Sequence, residues 1–243
     1  MKISDNCYAV TGLGFTPPWF VNAGIITGEN GTIIIDAGGN YNSAATIYGY
    51  AKAVARSEKF LVINTEPHFD HILGNCFFAE KKIPVWGHPD IKRMADELKS
   101  QKWEMNETIT DPARKKAHEE EVFFNRTFIK NPDFFLSDKQ IFNLGSGEVL
   151  IYFTPGHTKY NLSVWSKNDR VLFTGDCIVN RYRPNLECGS AEEWAVWKES
   201  LKIVESLNPE VIVPGHGDVI FKNEISKVIS DINDFLDAAI NEN

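Results

Sequence analysis

Four times along this chain an apolar run breaks at a turn that presents histidine or carboxylate side chains. Phe60-Leu61-Val62-Ile63-Asn64 leads into Glu66-Pro67-His68-Phe69-Asp70-His71. Later come Thr154-Pro155-Gly156-His157, Phe173-Thr174-Gly175-Asp176 and Val213-Pro214-Gly215-His216. Each run reads as a short buried strand, and in the last three a glycine lets the backbone bend sharply at its end. Groups on loops at strand ends are held by a rigid scaffold, so the chain has to be a β-rich fold that displays such loops. Imidazole and carboxylate are ligands of zinc and of divalent iron or manganese. Seven such groups exceed what one tetrahedral ion uses, which suggests two metals, or one with an elaborate outer shell.

The remaining pattern fills in the scaffold. Residues 8–10, 20–26 and 32–35 are β-branched or aromatic runs bounded by Gly and Asn turns, and 84–87 is a further strand. Ser43 is expected to cap a helix running to about Arg56. The charged stretch from Pro89 to about Lys130 is helical in character, with Asp111-Pro112 as a helix start. Strands over 148–154, 162–166, 171–174 and 211–213 follow, with a helix from Ala191 to Leu207 and a final amphipathic helix. Two strand-rich halves, each closed by helices, predict two sheets packed face to face with helices outside. No linker divides them, so residues 1–243 are read as one domain. In the metal run, His68 and Asp70 alternate with Pro67 and Phe69, so an extended segment would turn both to one side. His88, and His118 in its charged helix, read as bystanders.

The ordered set resembles the metallo-β-lactamase superfamily, whose signature is an HxHxDH run followed by separate His, Asp or Cys, and His ligands. The resemblance extends from Ile35-Asp36-Ala37-Gly38 to Pro214-Gly215-His216-Gly217. It implies an α/β fold, the four-layered αββα sandwich, here with a helical insertion around residues 90–130. It also implies a dinuclear site in which Glu66, His68 and His157 hold one ion, Asp70, His71 and His216 the other, and Asp176 bridges them. The cofactors would be two divalent ions, zinc foremost, with iron or manganese as alternatives. A metal-held hydroxide would be the nucleophile, Asp70 would orient it as the catalytic carboxylate, and Asp36 would orient a ligand from the outer shell. Two departures stand out. Glu66 occupies a position that is normally His, and a carboxylate is a harder donor. Asp176 stands where zinc β-lactamases carry Cys, as in the glyoxalase II-like and lactonase-like branches. His157-Thr158-Lys159-Tyr160-Asn161 and Pro184-Asn185-Leu186 are nevertheless similar to lactamase segments, which points Asn185 at a substrate carbonyl. The lysine that clamps a substrate carboxylate is absent, and Arg181 or Arg183 could substitute through a bidentate guanidinium.

The implied activity is a metal-dependent hydrolase opening a carbonyl substrate: a lactone, thioester, ester or cyclic amide, β-lactams included. The alternative is an iron-dependent oxidoreductase on the same fold. A formal charge of -8 argues against nucleic acid, so the expected partner is a small-molecule substrate. No apolar run approaches membrane-spanning length, and Met1 to Asn6 lack a signal-peptide core, so the cytoplasm is the expected location. Cys7, Cys76, Cys177 and Cys188 are too scattered for a disulfide framework and are expected as free thiols, Cys177 on a strand facing the core. Trp19 is a candidate wall of the site mouth, and the oligomeric state is not legible.

Overall fold

The computed structural model describes residues 1–14, 20–187 and 189–242, so Trp19 and Cys188 lie outside the described residues. The chain opens with strands β1 (Cys7–Leu13), β2 (Val21–Gly28) and β3 (Gly31–Ile35), then helix α1 (Tyr41–Val54) and strand β4 (Phe60–Ile63). Two short helices follow, α2 (Phe69–Ile72) and α3 (Asn75–Glu80), and strand β5 (Val85–Gly87). Next come the helices α4 (Glu97–Thr108), α5 (Pro112–Lys116) and α6 (Glu119–Phe123), and β6 (Phe134–Phe135) completes the first half. The second half holds β7 (Ile141–Asn143), β8 (Glu148–Phe153), β9 (Leu162–Ser166), β10 (Val171–Phe173), α7 (Ala191–Ser206), β11 (Val211–Val213), β12 (Ile220–Phe221) and α8 (Lys222–Glu242). The strands form two six-stranded sheets, ordered β1-β2-β3-β4-β5-β6 and β12-β11-β10-β9-β8-β7.

Side chains alternate across a strand, and the core records that alternation residue by residue. Ile33 and Ile35 enter the layer between the sheets, where they meet Val164, Val171, Phe173, Val211 and Val213. Ile34 points the other way, onto Ala44 and Ile47 of α1 and Phe77 and Phe78 of α3. Leu172 and Ile212 likewise turn outward, onto Trp197 and Leu201 of α7 and Ile229 and Leu236 of α8. Three apolar layers separate four layers of structure, which is the αββα sandwich. A strand covered on both faces has no polar side, which is why these runs read as continuous apolar stretches.

The helix starts follow their capping chemistry. Asp111 accepts hydrogen bonds from the amides of Ala113 and Arg114 and sets Pro112 as the first residue of α5. Ser190 and Glu193 form a reciprocal capping box on α7. At α1 the expectation is corrected: Asn40 is the cap, its side chain accepting from the Ser43 amide at 2.7 Å, and Ser43 is buried inside the first turn. The insertion consists of α4 to α6, fastened to the body through Met105 and Phe124 packing on Leu73. The two-residue strands β6 and β12 are too short to leave a periodic trace.

One side chain ties the two sheets together beside the last ligand turn. Asn22 of β2 donates its backbone N–H to the Gly215 carbonyl at 2.8 Å. Its side-chain amide donates to the carbonyls of Pro214 at 3.0 Å and Gly217 at 2.8 Å. Among the described residues no helix is long and apolar enough to cross a membrane.

Candidate metal centre

The metal run is not extended. His68 has extended angles, φ −65° and ψ 150°, but it caps α2, and Asp70 and His71 already lie inside that helix. The turn is held from behind by a buried amide pair. Asn64 and Asn75 donate to each other's carbonyl oxygens at 3.1 and 2.7 Å, and Asn75 also donates to the Lys130 carbonyl at 3.0 Å. On the other sheet, the Asn161 amide donates to Thr154 Oγ1 at 3.0 Å and to the Thr174 carbonyl at 3.1 Å. It thereby joins the turn carrying His157 to the turn carrying Asp176. Asp176 sits in a short 3-10 turn, Gly175–Cys177, at the end of β10. Cys177 is therefore in a turn rather than on a strand, yet it is wholly buried against α7 and burial pushes its thiol up to about 12. Cys7, Cys76 and Cys177 are free thiols.

These turns bring all seven candidate side chains together in two groups: Glu66, His68, His157 and Asp176, and Asp70, His71 and His216. In the first, Glu66 Oε2 lies 3.0 Å from His68 Nδ1 and 3.5 Å from His157 Nε2. In the second, His216 Nε2 lies 3.1 Å from Asp70 Oδ2. Asp176 spans both, with Oδ2 3.5 Å from His157 Nε2 and 3.3 Å from His216 Nε2, and Oδ1 3.4 Å from His71 Nε2. Donors that share a tetrahedral ion at bonds of about 2.1 Å stand roughly 3.4 Å apart, so the spacing fits divalent ions. Both Glu66 oxygens, His71 Nε2 and Asp176 Oδ1 are buried with no hydrogen-bond partner among the described residues. Buried polar atoms left this way are rare, and a cation is the partner that would satisfy all four at once.

The outer shell fixes how the rings face. His71 Nδ1 donates to Asp36 Oδ2 at 2.8 Å, which leaves Nε2 with its lone pair toward the cluster. His216 Nδ1 donates to the Phe20 carbonyl at 2.6 Å, and His157 Nδ1 to the Asn185 carbonyl at 3.3 Å, with the same result. Asp36 is held by the Thr65 amide and hydroxyl at 2.8 and 2.7 Å and has a left-handed backbone, φ 61°. Burial nonetheless outweighs these contacts and raises its carboxyl above the usual range. Burial alone would depress the imidazoles, but the carboxylates around them win. His71 is raised well above its ordinary value by Asp36, Asp70, Glu66 and Asp176, and His216 to about 11 by Asp176 and Asp70. The carboxylates move the other way. Against the burial penalty, His71 and His216 bring Asp70 down to about 2, and hold Asp176 well below the usual range.

These directions fix a pH dependence for metal-free protein. The raised His216 stabilises the fold fully below its unfolded value near 6.5, and that contribution is lost as pH rises toward 11. The depressed Asp70 contributes above its unfolded value near 3.8, and that is lost as pH falls toward 2. Chelated protein is therefore expected to be most stable between about pH 4 and 6.5. Ion binding requires neutral imidazoles, so the rise in melting temperature on adding metal should grow from pH 5 to pH 8. Paired thermal melts with and without chelator check both; a metal effect that shrinks with pH would contradict the assignment.

The cluster opens onto a cleft of about 460 Å³. Phe69, Val179 and Tyr182 supply apolar walls, and Gln101, Arg183, Asn185 and Glu187 supply polar ones. Arg183 and Asn185, the sequence's candidates for substrate contact, thus line this cleft. Arg181 does not line this cleft; it pairs with Asp218 at 2.5 Å on the exposed surface. His88 packs between Phe153 and Tyr160, and His118 pairs with Glu120, both outside the cluster. Sequence reading missed Gln101 and Tyr182. Tyr182 lies 6.1 Å ring to ring from His216 and had a signal, an aromatic inside the Arg181–Arg183 loop. Gln101 reaches the cleft from α4 and had none.

The sequence profile of the Metallo-beta-lactamase superfamily matches residues 16–216. Acyl-coenzyme A thioesterase MBLAC2 of Homo sapiens is 22% identical over 216 residues, covering 80% of this chain and 72% of that protein. Atrochrysone carboxyl ACP thioesterase of Aspergillus fumigatus is 31% identical over 96 residues, 40% of this chain. That match and two similar ones span 25% to 31% of the relatives' own length. A solved metallo-beta-lactamase from Pontibacter korlensis superposes with a TM-score of 0.70 at 18% identity, covering 96% of this chain and 97% of the other. With four strand-end turns, two sheets and a profile match over most of its length, this chain belongs to the metallo-beta-lactamase superfamily.

Proposed function

We propose that the protein is a metal-dependent hydrolase of thioesters with a dinuclear centre, zinc being the first candidate and iron or manganese the others. The observation that carries the reading is the pair of donor groups at a cleft, with both Glu66 oxygens, Asp176 Oδ1 and His71 Nε2 buried and unsatisfied. Glu66, His68 and His157 would hold one ion, Asp70, His71 and His216 the other, with Asp176 shared. Bound divalent ions supply Lewis acidity, which polarises a carbonyl and brings the pKa of water toward neutrality. The thioester is favoured over a lactone or cyclic amide by two relatives named as thioesterases of acyl-coenzyme A and of an acyl carrier protein.

The chain's own groups then divide the work. Phe69, Val179 and Tyr182 take the apolar acyl part, which excludes water from the reacting bond. Asn185, held by its Oδ1 accepting from the Glu187 amide at 2.9 Å, presents its N–H groups to the thioester oxygen. Asp70 stays ionised through the neutral range and can accept a hydrogen bond from the attacking water. Arg183 stands at the cleft wall to meet an anionic group on the substrate.

Release of free thiol from an acyl-coenzyme A, followed before and after chelation and again after restoring metal, tests the reading. Activity should vanish on chelation and return with the ion. Full turnover in a His157→Ala variant would sink it. The oxidoreductase alternative is favoured by one observation, the carboxylate-rich donor set that Glu66 creates. Iron in protein purified without chelator, with oxygen uptake and no thiol release, would put it first.

A further inference from the structure

A histidine offers a metal centre one ring nitrogen at a time, whereas a carboxylate offers two oxygens. Glu66 is fully buried, and its two oxygens face different halves of the cluster. Oε2 lies 3.0 Å from His68 Nδ1 and 3.5 Å from His157 Nε2, both of the first half. Oε1 lies 3.1 Å from His71 Nε2, of the second half. Neither oxygen accepts a hydrogen bond from a described residue, although ring nitrogens stand close to each. The approach distances are those of donors sharing an ion. Asp176, across the cluster, divides its oxygens in the same way: Oδ1 beside His71, Oδ2 beside His157 and His216.

We infer that Glu66 is a second bridging carboxylate, binding one ion through Oε2 and the other through Oε1, opposite Asp176. The inference rests on the dinuclear reading above and adds to it a role that a histidine at this position could not fill. Its consequences are physical. Two shared anions lower the repulsion between the ions, so each ion binds more tightly when the other is present, a reciprocal coupling. The second ion gains an oxygen donor, and the whole centre carries three carboxylates, Glu66, Asp70 and Asp176, with four imidazoles. That composition shifts preference toward ions that accept oxygen, manganese and iron, relative to a three-histidine half-site.

The test is titration of chelated full-length protein with Mn²⁺, reading ions per chain and each dissociation constant, with circular dichroism as the control for folding. Three variants separate the possibilities. His68→Ala removes a donor that reaches the first half alone. Glu66→Gln keeps the size and removes the charge. Glu66→His restores one nitrogen to the first half and nothing to the second. Wild type is expected to bind two ions. His68→Ala should lose one and keep the other, while Glu66→Gln should lose one and bind the survivor roughly 10- to 100-fold more weakly than His68→Ala does. Both variants forfeit whatever the first ion lends the second, so the difference between them isolates Oε1. Glu66→His should regain the first ion without restoring the second half's affinity. If Glu66→Gln matches His68→Ala, Glu66 serves one ion and the bridge is refuted. If Glu66→Gln binds two ions like wild type, Glu66 is no ligand at all. A wild type that never exceeds one ion overturns the dinuclear reading itself, and the bridge with it.

Discussion

Replacing Asp176 by alanine is expected to lower thioester turnover by ~10³-fold and to leave less than one ion bound per chain. The size of the effect follows from position. Asp176 is the carboxylate of the second sheet, and its two oxygens lie within 3.5 Å of His157, His71 and His216, which belong to different halves of the centre. Losing it removes a donor from both ions in one step and returns three imidazoles to a buried space with less negative charge. Its carboxyl is held well below the usual range by His216 and His71 in spite of burial, so the reverse holds too: His216 loses its main counter-charge, and His71 loses one of the four carboxylates that raise it. Ion content by elemental analysis and kcat/KM for an acyl-coenzyme A measure the two parts separately. A variant that keeps two ions yet loses turnover would show that Asp176 acts on the substrate and not on the metal.

The largest effect on stability is expected from Gly156→Ala. This glycine has φ +151°, and a Cβ there would stand 2.3 Å from Cβ and Cγ of Trp197 and 2.5 Å from its Cα. Trp197 cannot step aside. It is almost wholly buried in α7, and its ring N–H donates to the Cys177 carbonyl at 2.9 Å, beside Asp176. The turn must therefore move, and His157 moves with it. Overpacking combined with a backbone conformation that alanine avoids should cost about 3 kcal/mol, which in a chain of this size lowers Tm by roughly 6–12 °C. Metal affinity should fall as well, because a displaced His157 no longer meets its partners. Thermal unfolding and Mn²⁺ titration read the two losses. An unchanged Tm would mean that helix and turn separate more easily than their packing shows.

Much of this architecture was legible because one local rule repeats. At 63, 153, 173 and 213 an apolar strand ends, and the next few residues carry the donors. That order, and the β-branched content of the strands, survive any detail of tertiary packing. What failed had physical causes. Alternation placed His68 and Asp70 on one side of an extended segment, but His68 caps a helical turn and Asp70 lies inside it, so they face different halves of the centre. Ser43 looked like a cap because serine caps well, yet Asn40 lies three residues earlier with the right extended backbone. Arg181 and Arg183 are indistinguishable in sequence; only the loop decides that one meets Asp218 and the other the cleft. Gln101 reaches the site across a helix packing that no local pattern encodes. The dual orientation of Glu66 was equally invisible, since residue type gives two oxygens and only the fold says where each one points.

Asn22 has a consequence for the order of events in making the protein. Its three hydrogen bonds to the loop from Pro214 to Gly217 join the sheets beside His216 using protein groups alone. The donors of the two sheets, at residues 66–71 and 157–216, are thus tied together by hydrogen bonds that need no ion. Small zinc domains depend on their metal to fold. Here the expectation is that the polypeptide folds first and metallation follows, so chelated protein should keep its fold by circular dichroism. The cell could then withhold, supply or exchange the ion without unmaking the molecule that receives it.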